Sequence, residues 1–295
     1  MTMTSENASA GALQQVGDEP MADAIEGAAF LARSAHRVRV LELLSSGPRT
    51  RETLLSGTDV TRVTLSRILG DLTDRGWIER DHADDRYAIT DTGAAVYDDF
   101  ERLLETITVG QRCPEVLDAL PTEWFGFELR CLADCDTVAT DSADPLSGMR
   151  VIANAVGRAT TVRAAVSSFA SLPMYTHAES VRAGDAAEAE VVFDRDATAV
   201  NVEDPDLVDR WRAIEAESAR PVYYSADERF PCNVDIIDGE RVFLSVTDEN
   251  GGFRVVESTH PAVVDWAEAL FREKRTAAVP LEQYRSGVEP VDSHA

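Results

Sequence analysis

Residues 30–92 set out three short leucine-bearing helical stretches, a glycine stop and two short β-prone runs, an order that very few folds accommodate. From Ile25 to Leu44, apolar residues return at helical spacing through Phe30, Leu31, Val38, Leu41 and Leu44, with Arg33, Arg37 and Arg39 between them, so one amphipathic helix is expected. Gly47-Pro48 ends it. A short helix over about Thr50 to Ser56 buries Leu54 and Leu55, and Gly57-Thr58-Asp59 turns the chain. Thr61 offers an N-cap oxygen to a third helix running to about Thr73, in which Leu65, Ile68, Leu69 and Leu72 fall at i, i+3, i+4 and i+7. Gly76 to Arg80 and Tyr87 to Thr90 then read as strands around the polar loop Asp81 to Arg86, a hairpin of wing size. Thr90-Asp91-Thr92-Gly93 caps a fourth helix, whose Val96, Phe100, Leu103, Leu104 and Ile107 form one apolar stripe.

The same stretch is where an acidic chain turns basic. Nine Arg stand against six Asp/Glu between Phe30 and Arg80, whereas the whole chain carries −25. Lys274 is the one lysine among 28 basic residues, and Asp and Glu number 53. This balance is expected of a cytosolic protein from a salt-accumulating halophile, with ordinary acidity as the plainer alternative. A chain at −25 is repelled by duplex phosphates unless it turns a positive face to them. The polar side of the third helix supplies one, with Thr61, Arg62, Thr64, Ser66 and Arg67 near its N-terminal end and Arg51 on the helix before it. Arg takes guanine O6 and N7 in a two-pronged contact, Ser and Thr bond base edges or phosphates, and a helix N-terminus favours a phosphate. On an ordinary surface helix Arg62 and Arg67 would be solvated charges only. His82 and Arg86 extend the basic set into the wing, where Asp81, Asp84 and Asp85 weaken any grip on phosphate.

With its leucine-rich third helix, Gly76-Trp77-Ile78-Glu79, and the Tyr87-x-Ile89-Thr90-x-x-Gly93 strand and cap, this segment resembles the winged helix-turn-helix domains of prokaryotic transcriptional regulators. The resemblance implies double-stranded DNA as a partner. It also favours a homodimer, because one winged domain reads few base pairs and two half-sites multiply affinity.

Beyond Gly110 and Pro114, helical and extended patterns alternate. Helices are expected near Pro114 to Leu132, Met149 to Arg158, Pro205 to Ala219 and His260 to Ala278. Strands are expected at Thr161 to Ser167, Ala189 to Phe193, Pro221 to Tyr224, Val234 to Ile237, Arg241 to Thr247 and Gly252 to Glu257. Asp238-Gly239 between two β-rich runs is a strong hairpin signal. The fold class is α/β overall: a winged helix-turn-helix (α+β), then an α/β domain with a mixed sheet, antiparallel in its last three strands. Domains are expected at 21–92, 93–113 (a linking and dimerising helix) and 114–280, with a disordered tail at 1–20 and a second tail at 281–295. Arg163, Gly184, Glu190-Val191-Val192, Phe230-Pro231, the Asp238 to Val242 hairpin and Trp266-Ala267-Glu268 make the second half similar to archaeal regulators with a methanogenesis-regulator middle domain. That resemblance implies a phospholipase-D-like sensor without phospholipase chemistry, used for ligand sensing and dimerisation.

Catalysis is not expected. No His-x-Lys, Gly-x-Gly-x-x-Gly or Walker loop occurs, and none of His36, His82, His177, His260 and His294 sits in a nucleophile-elbow context. No cofactor or metal is expected either. Three constellations bear on sensing. Arg163, Tyr175, His177, Arg182 and Arg195 could gather into a cationic pocket for an anionic metabolite, or serve as surface partners of nearby acids. Cys131 and Cys135 at i, i+4 could form a soft-metal or redox switch with Cys113 or Cys232, although a buried free cysteine usually behaves as a small hydrophobe. Trp211, Tyr223, Tyr224 and Phe230 either line an apolar cavity or pack the core. The first twenty residues lack the basic and apolar regions of a signal peptide and no run is long enough to span a bilayer, so a cytoplasmic protein with no membrane partner is expected. A non-specific architectural or protein-interaction role is the alternative to a sequence-specific regulator.

Overall fold

A computed structural model describes residues 19–81, 83–138, 144, 146–169, 171–247 and 253–287. The chain divides into two compact units, Met1–Leu104 and Glu105–Ala295.

The first unit runs α1 (Glu19–Ala32), α2 (Ala35–Ser45), β1 (Arg49–Thr50), α3 (Arg51–Ser56), α4 (Arg62–Asp74), β2 (Ile78–Asp81), β3 (Arg86–Ile89) and α5 (Asp91–Arg112). α5 ends beyond the unit boundary. The single helix expected over Ile25 to Leu44 is two helices, because Ser34 takes an extended backbone as the N-cap of α2. The bend brings Leu31 of α1 and Val40, Leu41 and Leu44 of α2 into one core with Leu54, the α4 stripe, Trp77 and Tyr87. β1, unexpected from its two polar residues, joins the hairpin, giving an antiparallel sheet in the order β1-β3-β2. The Thr90-x-x-Gly93 cap is explained by proximity. Thr90 donates its N–H to the Trp77 carbonyl at 3.0 Å, and a Cβ on Gly93 would lie 1.9 Å from that same oxygen. Glycine is what lets α5 start against the wing.

In the second unit follow α6 (Pro114–Leu117), two 3-10 turns (Thr122–Trp124 and Leu129–Leu132), β4 (Asp136–Val138), α7 (Ser147–Val156), β5 (Thr161–Val166), α8 (Ser171–Ala183) and β6 (Glu188–Phe193). After them come α9 (Arg195–Glu203), α10 (Pro205–Ala216), β7 (Tyr223–Ser225), β8 (Asn233–Ile237), β9 (Arg241–Thr247), β10 (Phe253–Ser258), α11 (Pro261–Ala277), β11 (Val279–Pro280) and α12 (Leu281–Arg285). The strands form one mixed sheet, β11-β7-β6-β5-β8-β9-β10-β4, parallel across β5-β6-β7 and antiparallel elsewhere. Alternation along the strands feeds two cores. Ala165, Val234 and Ile236 face α11, while Val162, Phe193 and Ile237 face α7, α8 and α10. Asp238 (φ 55°) and Gly239 (φ 68°) both take the left-handed region that a two-residue hairpin turn demands. The Asp238 carboxylate also accepts the N–H groups of Thr160 and Thr161, each at 2.8 Å.

Three expectations fail here. The helix expected over Pro114 to Leu132 is one turn, α6, followed by 3-10 segments. Pro121 cannot continue a helix, and Trp124, Phe125 and Phe127 leave helical phase to pack edge-on against Trp266 of α11 at 5.2–5.6 Å. The tail expected from 281 begins instead with α12, anchored by fully buried Leu281. α8 and α9 were not foreseen at all. Of the tail expected at 1–20, residues 1–18 lie outside the described residues, and Glu19 and Pro20 open α1.

Candidate nucleic-acid interface and an interior cavity

α4 is capped as its sequence requires: the Thr61 hydroxyl oxygen accepts the Thr64 N–H at 3.2 Å, and the two threonine hydroxyls lie 3.0 Å apart. Leu65, Ile68, Leu69 and Leu72 are buried, so the opposite face is turned to solvent. On that face stand Arg62, Val63, Ser66 and Arg67, all exposed. Ser66 donates to the Arg62 carbonyl at 2.7 Å and accepts a hydrogen bond from Arg51 of α3, which ties the two helices of the motif together at the surface. Among the described residues, Arg62, Arg67 and Arg86 make no ion pair. Elsewhere in the unit arginines are engaged: Arg37 with Asp71, Arg39 with Glu42, Arg80 with Asp85.

The structure thus sorts the eight residues proposed for DNA contact. Arg62 and Arg67 are open guanidinium groups on one face, Arg51 and Ser66 are a linked pair beside them, and Thr61 and Thr64 spend their hydroxyls on the cap. Arg86 opens the second wing strand, opposite Asp81, and His82 lies outside the described residues. The wing tip is acidic: Asp81 accepts the Ala83 N–H at 2.8 Å, and Asp85 holds Arg80 at 2.5 Å. Sequence reasoning missed Val63, which is 80 % exposed between Arg62 and Thr64. Its signal was there, an apolar residue opposite the leucine stripe, where a methyl-bearing side chain can meet a thymine methyl.

The cationic pocket expected from Arg163, Tyr175, His177, Arg182 and Arg195 does not assemble. Arg163 pairs with Glu268 of α11 at 2.6 Å, Arg195 pairs with Asp227 at 2.8 Å, and Arg182 pairs with Glu179 on its own helix. Tyr175 lies under Arg210 at 3.6 Å. Helical geometry separates the α8 residues, since Tyr175 and Arg182 are seven positions apart on one face and His177 points the other way. Only His177 of the five turns toward the sheet, where a cavity of about 60 Å³, partly open to solvent, lies between α7, α8 and the sheet.

Apolar side chains such as Met149, Ile152, Val162, Met174 and Phe193 form most of this cavity's wall, with Tyr223 and Asp235 among them. Asn233 secures the loop at its edge, its side-chain oxygen accepting the N–H groups of Ser167 and Ser168 at 2.7 and 2.9 Å. His177 Nε2 lies 3.3 Å from the Ala187 carbonyl, and burial lowers its pKa, keeping the ring neutral. Asp235 is buried in the middle of β8, and burial alone pushes its carboxyl up to about 7. Of the aromatic set, Tyr223 reaches the cavity, whereas Trp211, Tyr224 and Phe230 are core residues.

All four cysteines are free and buried. The closest thiols are Cys113 and Cys135, 3.5 Å apart, not the Cys131 and Cys135 pair on which the i, i+4 spacing drew attention. Burial raises the Cys135 and Cys232 thiols to about 12, far from the thiolate that metal binding or exchange requires. Among the described residues no group of three metal-ligating side chains occurs, and no helix is long and apolar enough to cross a membrane.

Residues 25–112 match the HVO_A0261 N-terminal domain family, and residues 145–277 match the middle domain of the methanogenesis regulatory protein FilR1. The two matches follow one another along the chain without overlap. The second match spans α7 to α11, hence the cavity and Asp235. No curated protein sequence matches the chain. Among solved structures, TrmBL2, an archaeal chromatin protein that binds DNA, is 15 % identical over 87 % of this chain and all of its own, with a TM-score of 0.36. The phospholipase D family member Nuc from Salmonella typhimurium is 16 % identical over 50 % of this chain and 97 % of its own, with a TM-score of 0.39. CalO1, a methyltransferase of calicheamicin biosynthesis, is 21 % identical over 70 % of this chain and 64 % of its own, at a TM-score of 0.22.

Proposed function

We propose that the chain is a cytoplasmic DNA-binding transcriptional regulator that reads an operator through α4, and that its FilR1-type unit senses a small molecule and dimerises. The observation that carries this reading is the pair Arg62 and Arg67, exposed and without a carboxylate partner among the described residues, in a chain of net charge −25. In so acidic a protein, unpaired guanidinium groups beside exposed Val63 form a face suited to base edges, while the acidic wing contributes little to phosphate binding. Leu103, Leu104 and Ile107 on α5 are 50, 40 and 45 % exposed, an apolar patch suited to the same helix of a second copy. An effector alters operator affinity only through different contacts in the two DNA-binding states.

The test is selection of bound sequences from a random DNA pool at low and at near-molar potassium chloride. An enriched inverted repeat retained at high salt is expected for a dimeric reader whose base contacts carry the affinity. Binding without enrichment that vanishes as salt rises would instead mark an architectural protein held by phosphates.

A further inference from the structure

A polar group sealed among apolar side chains ordinarily finds a protein partner, because leaving it without one costs roughly 1–3 kcal/mol. Two groups on the cavity between α7, α8 and the sheet lack a protein partner but are not sealed: both keep a little accessible surface, so they are open to whatever fills the space. Among the described residues no donor reaches the Asp235 carboxyl, and no partner reaches the Tyr223 hydroxyl, although both residues are buried and line the same space. Of the other polar groups there, Asn233 is engaged with the Ser167-Ser168 backbone and His177 Nε2 with Ala187, while the Ser168 hydroxyl also faces the space. Among the described residues no arginine or lysine lines the cavity.

We infer that this cavity is the ligand site of the FilR1-type unit, and that it takes a short apolar molecule ending in one hydrogen-bond-donating head, a primary alkylamine being the class that suits Asp235 and Tyr223 together. The inference rests on reading this unit as a sensor. An ammonium head meets the carboxylate and the phenol oxygen, both able to accept, and the alkyl chain lies along Met149, Ile152 and Phe193. A carboxylate-headed molecule is disfavoured where Asp235 is ionised, since it would then face a like charge in surroundings that screen charge poorly. The effector class therefore departs from the anionic metabolite expected of an arginine pocket. Size narrows it further: about 60 Å³ is well under the roughly 150 Å³ void that accepts benzene, so a chain of a few carbons fits.

The experiment uses the full chain with n-butylamine, 1-butanol and butyrate at pH 7.5 and matched ionic strength, read by melting temperature and titration calorimetry. Butylamine raises the melting temperature in proportion to the logarithm of its concentration, and butyrate does not. Asp235→Asn weakens butylamine at least tenfold while leaving 1-butanol unchanged. Equal responses to butylamine and butyrate, or an Asp235→Asn variant that binds butylamine as the wild type does, overturn the inference. Should the variant fail to fold, infrared difference spectra of the wild type near pH 6.5 decide. Loss of a protonated-carboxyl band on adding butylamine supports the site, and an unchanged band refutes it. Operator affinity measured on the same samples separates the two levels. Butylamine binding with unaltered DNA affinity keeps the site and removes the sensing role, and DNA binding that is intact and selective without any butylamine binding removes the site alone.

Discussion

In the N-terminal unit Arg62 and Arg67 stand exposed with no ion pair among the described residues, whereas in the sheet unit Arg163, Arg195, Arg212, Arg241 and Arg275 each close on a carboxylate within 3.1 Å. The same residue type, set in the same acid-rich chain, is left open on the exposed face of α4 and neutralised at these positions of the sheet unit, as it is at Arg37, Arg39 and Arg80 of the first unit. Exposed pairs of this kind contribute roughly 0–1 kcal/mol each, so stability does not explain the contrast. It is better explained by what each unit has to meet. A phosphate-lined partner needs bare guanidinium groups at the surface, while the sheet unit turns Asp235 and Tyr223 toward its cavity.

The largest effect that bears on this contrast should come from Gly93→Ala. Its methyl would collide with the Trp77 backbone, which cannot step aside as a side chain can, so a loss of about 3 kcal/mol or more is expected. Denaturation followed at Trp77 and, separately, in the sheet unit should show the first unit melting early; coincident, unshifted transitions would mean that α5 does not need this close approach. Next comes Asp235→Asn. The folded carboxyl titrates near 7 against an ordinary 3.8, so the folded protein holds a proton that the unfolded chain has already released between those values. Wild-type stability therefore falls as pH rises through this window, with a slope near 1.4 kcal/mol per unit. Relative to wild type, the Asn variant should gain about 3 kcal/mol between pH 5 and 8, measured by urea denaturation at each pH, and a constant difference would place Asp235 in a wetter setting than the cavity implies.

Smaller effects are expected at the surface. Arg67→Ala should weaken operator binding by about 1–3 kcal/mol if it reads a base, and the loss should shrink on sequences altered at that position. A uniform loss across sequences would assign it to phosphate. Arg195→Ala should be nearly silent, within about 1 kcal/mol in stability and without effect on butylamine binding, because Arg195 meets Asp227 at an exposed edge. A clear loss of ligand binding in that variant would revive the arginine pocket.

The legible parts of the chain were those governed by neighbours in sequence. Thr61, Gly76 and Asp238-Gly239 act through backbone conformation over a few residues, and the α4 stripe through helical phase, so their roles could be read directly, whereas Gly93 answers to the Trp77 backbone sixteen residues away. The Pro114 to Leu132 stretch misled because its aromatic residues answer to Trp266, far along the chain. Arg163, Arg182 and Arg195 misled for a related reason: a list of basic residues does not say which carboxylate each will meet.

Asp235 marks the division most clearly. The β-prone run Val234 to Ile237 is written locally, and a strand is expected there. That the polar side of the strand would be covered by α7 and α8 and not by water was decided by the sheet order, in which β8 pairs with β5 across some seventy residues of chain. Backbone preferences act over a few residues and so lie in the sequence itself; the dielectric around a carboxyl depends on which distant segments close over it, and only the packed tertiary structure sets that.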